Sequence, residues 1–284
     1  MEGYRHTGPV NCDLDFDPSN LKGKTAIVTG GANGIDEAYV RALVASGVTV
    51  CIGDRDVAGG KKLVAELHGR TKFIECDAAK WDDQDRLFRE AASFSPTGKI
   101  AYVVANAGII RQDDVFSYSV KLSLHYFVKQ NGQKPSSTQD DTCLVLIGSG
   151  AAFLDCLRIP QYSATKWAMR GIMHSLRRTA FYYGSRVNVI SPWYVKTKIM
   201  SEEEFAHVAE VGVEFAEAED AGQCLLRILS DASINGHSFF IAARKWASRG
   251  YVDLDLDDYP GNALIQEIQE DQVKSGPVSM GLFV

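Results

Sequence analysis

Lys24-Thr25-Ala26-Ile27-Val28-Thr29 runs directly into Gly30-Gly31-Ala32-Asn33-Gly34-Ile35, and a helix-forming stretch from Glu37 to Ser46 follows. An apolar run of strand length, a glycine-rich turn and a helical segment predict a strand–turn–helix unit. Glycines let the backbone turn tightly and bring its N–H groups close to a pyrophosphate, whose charge is favoured at a helix start. Val48-Thr49-Val50-Cys51-Ile52-Gly53 reads as the second strand, and Asp54 falls at its carboxyl end. A carboxylate there accepts hydrogen bonds from an adenosine ribose and repels a 2′-phosphate, which favours NAD(H). The adjacent Arg55 leaves NADP(H) open, because a guanidinium pairs with phosphate.

A second stretch carries the chemistry. Tyr162-Ser163-Ala164-Thr165-Lys166 places a phenol and an ammonium four residues apart, with Ser149 thirteen positions upstream of the tyrosine. On a helix such a pair shares one face. The ammonium is expected to make the phenol more acidic, so that Tyr162 exchanges a proton near neutral pH while Ser149 holds the same substrate oxygen. Leu144 to Ile147 reads as a buried strand ending at Gly148-Ser149, with Tyr162 opening the next helix.

Together these stretches resemble the short-chain dehydrogenase/reductase family. The family's first-turn pattern is matched at Thr29, Gly30 and Gly34. Phe73 to Asp77 resembles its third strand, Ile100 to Ala105 with Asn106-Ala107-Gly108 its fourth strand and turn, and Val187 to Pro192 its sixth strand. The resemblance spans Leu21 to Ala242. It implies an α/β single-domain Rossmann fold, a doubly wound parallel sheet flanked by helices. It also implies a catalytic set of Ser149, Tyr162 and Lys166. The implied cofactor-binding residues are Gly30, Asn33, Gly34, Ile35, Asp54, Asp77, Ala78, Asn106, Ala107, Gly108, Tyr162, Lys166, Val195 and Thr197. Arg158 to Tyr162, Ser191-Pro192-Trp193 and the extended tail resemble more narrowly the 15-hydroxyprostaglandin dehydrogenase-like group, which includes fungal 5′-hydroxyaverantin dehydrogenases. That implies oxidation of a hydroxyl on a hydrophobic, polyketide-like molecule.

Two departures stand out. Asp36 occupies the position of the family's third glycine, where a carboxylate is compatible with the helix N-terminus but repels a pyrophosphate. Between Gly108 and Ser149 one helix, and the asparagine that opens the next, are expected to be deleted before the fifth strand. Asn131, the one asparagine in that interval, belongs to a turn. A catalytically impaired relative, acting as a dinucleotide-binding or interaction protein, is the alternative reading, and a structural subunit of an oligomer a third.

Composition sets the bounds. The 284 residues, 45% hydrophobic with net charge −6, suit one α/β domain and argue against a nucleic-acid partner. The expected organisation is a loosely held polar lead-in over residues 1–20, the domain over 21–250, and an acidic tail with a short helix over 251–284. No apolar run predicts a membrane span or a secretory signal, so a cytoplasmic location is expected, and the family resemblance implies a homodimer or homotetramer. The six cysteines form no Cys-x-x-Cys pair and the six histidines have no metal spacing, so buried thiols and no metal are expected. In the tail, Tyr251-Val252-Asp253-Leu254-Asp255-Leu256-Asp257-Asp258 reads either as an edge strand or as a solvated acidic turn packed by its leucines. Arg177-Arg178 reads as a helix surface or subunit contact. Phe153, Leu154, Leu157, Ile159 and Pro160 on one side, with Trp193, Tyr194, Ile199 and Met200 on the other, are expected to wall an apolar pocket.

Overall fold

The computed structural model describes residues 4, 6–106, 115–197 and 201–275. Its strands are β1 (Thr25–Thr29), β2 (Thr49–Asp54), β3 (Thr71–Glu75), β4 (Tyr102–Ala105), β5 (Thr142–Ile147), β6 (Ser185–Pro192), β7 (Ser238–Ile241) and β8 (Tyr251–Asp253). They form one sheet in the order β3-β2-β1-β4-β5-β6-β7-β8. The first seven are parallel and β8 closes the edge antiparallel to β7. β1, β2, β4 and β5 are buried along both faces, which is why they read as continuous apolar runs.

Alternation along β1 separates two cores. Ala26 and Val28 face one layer, where α1 (Gly34–Ala45) and α7 (Ala218–Ser230) contribute Tyr39, Val40, Leu43, Ala221 and Leu225. Ile27 faces the other, where α3 (Trp81–Phe94), α4 (Val115–Asn131) and α5 (Pro160–Leu176) contribute Leu87, Phe88, Phe127, Met169 and Met173. The remaining helices are α2 (Val57–Leu67), α6 (Glu202–Glu210) and α8 (Ala263–Ser275). Chain order reverses at β1, whose neighbours are β2 and β4. Helices leave opposite faces there, opening a crevice at the carboxyl ends of the strands.

α4 crosses between β4 and β5. Ala107, Gly108 and Gln112 lie outside the described residues, as do Ile199 and Met200. Asn131 ends α4 and is structural: its Nδ2 donates to the carbonyls of Asp140 (2.8 Å) and Tyr183 (2.7 Å), and its Oδ1 accepts from Asp140 N–H.

At the ends of the chain the lead-in is held where a loose segment is expected, and of the two readings of the tail it is the edge strand that forms. The sheet continues past residue 250 into β8, and the acidic run after it turns the pattern inside out. Asp253 and Asp257 are buried, while Leu254 and Leu256 are 38% and 40% exposed. The lead-in is pinned to this run by Tyr4 Oη on Asp258 (2.7 Å), His6 on Asp255 (2.7 Å) and Val10 N–H on Asp253 (2.9 Å). Arg177, read as a helix surface or subunit contact, is buried within the chain and donates to Asp258, Tyr4 Oη and the carbonyls of Gly236 and Asp257. Asp257 and Asp258 turn inward because Arg170 and Arg177 are buried beside them, and a buried charge without a partner is far costlier than an exposed leucine.

Candidate active site

The glycine turn is held from below. Gly30 N–H donates to the Gly53 carbonyl (2.7 Å), and the Asp54 carboxylate accepts from Ala32 N–H and Asp56 N–H, both at 2.9 Å. Gly30 and Gly34 have φ of +79° and +67°, the left-handed region where a side chain is strained. A Cβ on Gly34 would also press to 3.2 Å against Thr197, so the turn and the segment after β6 approach there as closely as backbone allows. Asn33 is the N-cap of α1, with no side-chain capping bond, and Ile35 packs into the α1 core.

Asp36, in the first turn of α1, reaches across the crevice. Its Oδ2 accepts from Asn106 Nδ2 at 2.5 Å, and Asn106 N–H donates to Thr29 Oγ1. Its Oδ1 is out of solvent with no hydrogen-bond partner among the described residues. Burial, and then the neighbouring Asp54 charge, push its carboxyl well above the usual range, with the Lys166 ammonium opposing. The helix start that suits a carboxylate in the open does not offset this desolvation.

Ser149, Tyr162 and Lys166 meet at the end of β5. Ser149 follows the strand and caps the 3-10 turn Gly150–Ala152, its Oγ accepting from Ala151 N–H (3.2 Å). Tyr162 lies in the first turn of α5 and Lys166 one turn on, buried, its Nζ donating to the Ile147 carbonyl at 3.1 Å. That nitrogen is 5.6 Å from the Tyr162 ring centre. Here the structure corrects the expectation of an acidified phenol: burial pushes Tyr162 up, and the hydrogen bond from Ser149 opposes it only in part. Burial likewise lowers Lys166 to about 8, against the attraction of Asp36.

The other predicted residues line the same edge. Asp77 accepts from Ala79 N–H and Ala78 accepts from the Gln84 amide just past β3, while Val195 bridges to Ala216 beyond β6. Trp193 stacks edge-on with Tyr194, Phe240 and Trp246 at 4.9, 5.9 and 5.6 Å, and Phe153 meets Phe240 at 5.3 Å. Leu157 is 83% exposed and closes no wall. Among the described residues no group of three His, Cys, Asp or Glu side chains is placed to hold a metal.

Sequence reading passed over Arg170, which is buried and bound to Asp257, and the pairing of Asp36 with Asn106. The signal was present: Lys166, Arg170 and Arg177 recur at helical spacing along α5 and its C-cap, and such buried cations on a core helix require acidic partners elsewhere.

The chain is similar to known proteins in sequence and in fold. The chain is 26% identical over 276 residues to the 5′-hydroxyaverantin dehydrogenase of Dothistroma septosporum, covering 82% of this chain and 88% of that protein. It is 28% identical to the 15-hydroxyprostaglandin dehydrogenase [NAD(+)] of Rattus norvegicus, covering 85% and 97%. The fold matches that of the 3-ketoacyl-(acyl-carrier-protein) reductase of Brucella melitensis, solved in complex with NADH, with TM-score 0.67 and 21% identity over 78% of this chain and 97% of that one. Residues 24–207 match the short chain dehydrogenase family as a whole, and with the reversed strand order and the β5-to-α5 site already in place, the chain belongs to that family.

Proposed function

We propose that the protein is an NAD(P)-dependent oxidoreductase that interconverts a secondary alcohol and a ketone on a hydrophobic small molecule, with a polyketide-like metabolite as the substrate class. The observation that carries the reading is the meeting of Ser149, Tyr162 and Lys166 at the carboxyl end of β5, beside the crevice where chain order reverses.

The residues present fit a dinucleotide. Asp54 has two of its lone pairs taken by backbone N–H groups and retains acceptor capacity for a ribose diol. This supports NAD(H), while the exposed Arg55 keeps NADP(H) in play. Asp36 fits in its neutral form, which burial favours. A bound nicotinamide would supply the hydride acceptor or donor. The chain's own residues do the rest. Tyr162 takes the hydroxyl proton in oxidation and returns it in reduction, Ser149 holds the substrate oxygen, and Lys166, charged below about pH 8, stabilises the phenolate. The aromatic group around Trp193 supports an apolar substrate, as do the relatives that act on hydroxylated polyketide and lipid molecules by name. We place the enzyme in the cytoplasm as a homodimer or homotetramer; no described helix is long and apolar enough to cross a membrane.

The test is turnover of a panel of hydrophobic secondary alcohols with NAD⁺ and NADP⁺, and of the matching ketones with the reduced forms, using the full chain. Reduction of NAD⁺ by at least one alcohol is expected. Binding of the dinucleotide without any turnover would favour the second reading, a non-catalytic dinucleotide-binding relative, for which the buried carboxylate of Asp36 is the supporting observation.

A further inference from the structure

Ser149 belongs to a turn after β5, whereas Tyr162 and Lys166 belong to α5, so something must fix the turn against the helix. Two cations from one stripe of α5 do so, one on each side of the serine. Lys166 Nζ donates to the carbonyl of Ile147, two residues before Ser149. Arg170, one helical turn further, donates from one terminal nitrogen to the carbonyl of Ala152, three residues after it, at 3.0 Å. Between these anchors the turn is closed by Ala152 N–H on the Ser149 carbonyl and Ala151 N–H on its Oγ.

The guanidinium is itself fixed from the chain's far end. Nε of Arg170 donates to Asp257 Oδ1 at 2.9 Å, and the second terminal nitrogen donates to the Leu256 carbonyl at 2.8 Å. Its outer face lies over the Trp167 ring, 5.0 Å from the ring centre. Burial alone would raise Asp257, but His174 and Arg170, with other donors, hold it down to about 2, so it is ionised at neutral pH. Three planar donors reaching three differently placed acceptors is a geometry that lysine cannot reproduce.

We propose that Arg170 is a positioning residue that sets the Ser149 hydroxyl against the Tyr162 phenol, and that the segment at Leu256–Asp257 is thereby part of the active-site scaffold. This rests on Ser149 and Tyr162 being the reacting pair proposed above. Arg170 touches neither; it acts through the Ala152 carbonyl on one side and the rigid α5 on the other.

The test reads the Ser149–Tyr162 contact without needing a substrate. In the full chain with isotope-labelled tyrosine, the ζ-carbon resonance of Tyr162 is assigned with Tyr162→Phe and its response to loss of the serine is set by Ser149→Ala. Arg170→Met is expected to move the resonance toward its position in Ser149→Ala, and Arg170→Lys partway. Arg177→Met, which loosens the neighbouring contact without touching Ala152, is expected to leave it in place. In turnover, kcat of Arg170→Met should fall about 10- to 100-fold, the scale of a misplaced catalytic group, with the dinucleotide Kd within about twofold. If Arg170→Met does not fold, Arg170→Lys and Asp257→Asn carry the same comparison. An unmoved Tyr162 resonance in a folded Arg170 variant overturns the proposal even if the wild type turns over substrate. A resonance that responds to both Arg170 and Ser149 sustains the positioning role even if no alcohol in the panel reacts.

Discussion

Two buried charged regions of this molecule are built on opposite terms. Around α5 and the tail, Arg170, His174 and Arg177 meet Asp257, Asp258 and Tyr4 with hydrogen bonds of 2.7 to 3.2 Å, and Asp257 is held low. In the crevice, Asp36 is pushed up and Lys166 down, each toward its neutral form, and Asp36 Oδ1 is left unpartnered among the described residues. The same residue types are satisfied in one place and stressed in the other. A satisfied network makes the scaffold rigid, while charges held away from their preferred state are ready to respond when a ligand or a proton arrives.

The sharpest way to break the comparison is Tyr162→Phe. Removing the phenolic hydroxyl should lower turnover by about 10²- to 10⁴-fold, with dinucleotide affinity nearly unchanged. Retained turnover would remove chemistry from the crevice. Next comes Asp257→Ala, which strands Arg170 and should cost about 3 kcal/mol or more in urea unfolding, as loss of one partner from a buried pair does. The pH dependence follows from the sign of the shift: Asp257 is depressed when folded, so its stabilisation is present above the ordinary aspartate range and fades as pH falls toward about 2. The wild type should therefore lose stability across that acid window and the variant should lose less.

Asp36→Asn should act in the opposite direction. A carboxyl raised in the folded state weakens folding as pH rises above the ordinary aspartate value, so the variant should melt about 2 to 4 °C higher at neutral pH, the shift of roughly 1 kcal/mol for a domain of this size. The gain should vanish near pH 4, and a gain that persists there would point to packing instead of charge. Smallest is Leu254→Ser, expected to stay within about 0.5 kcal/mol because the side chain faces solvent. A cost of several kcal/mol would restore the leucine-packed turn.

The contrast also explains what could be read in the chain. β1, β2, β4 and β5 are largely apolar on both faces and lead at their carboxyl ends into the glycine, aspartate, asparagine and serine of the site, so pattern and spacing located them. Tyr162 and Lys166 were legible because their partnership lies within a single helix. Arg170 and Asp257 are 87 residues apart, and neither segment alone says that it is half of a pair. Alternating Leu and Asp in the tail is ambiguous by construction, since a period of two does not say which set faces inward; the cations of α5 decide it. Helical spacing places an ammonium near Tyr162 but says nothing of burial, and burial pushes the phenol up.

The most direct measurement is a titration of the full chain and of Asp36→Gly with NADH, followed by nicotinamide fluorescence at about pH 6 and about pH 8. The wild type should bind at both, more tightly at the lower pH because the raised Asp36 carboxyl moves toward its neutral form as pH falls, and Asp36→Gly should bind more tightly still with a smaller dependence on pH, that of Lys166. Absence of binding by both folded proteins at millimolar NADH would contradict the assignment of the crevice to a dinucleotide, and with it the functional meaning given to its stressed charges.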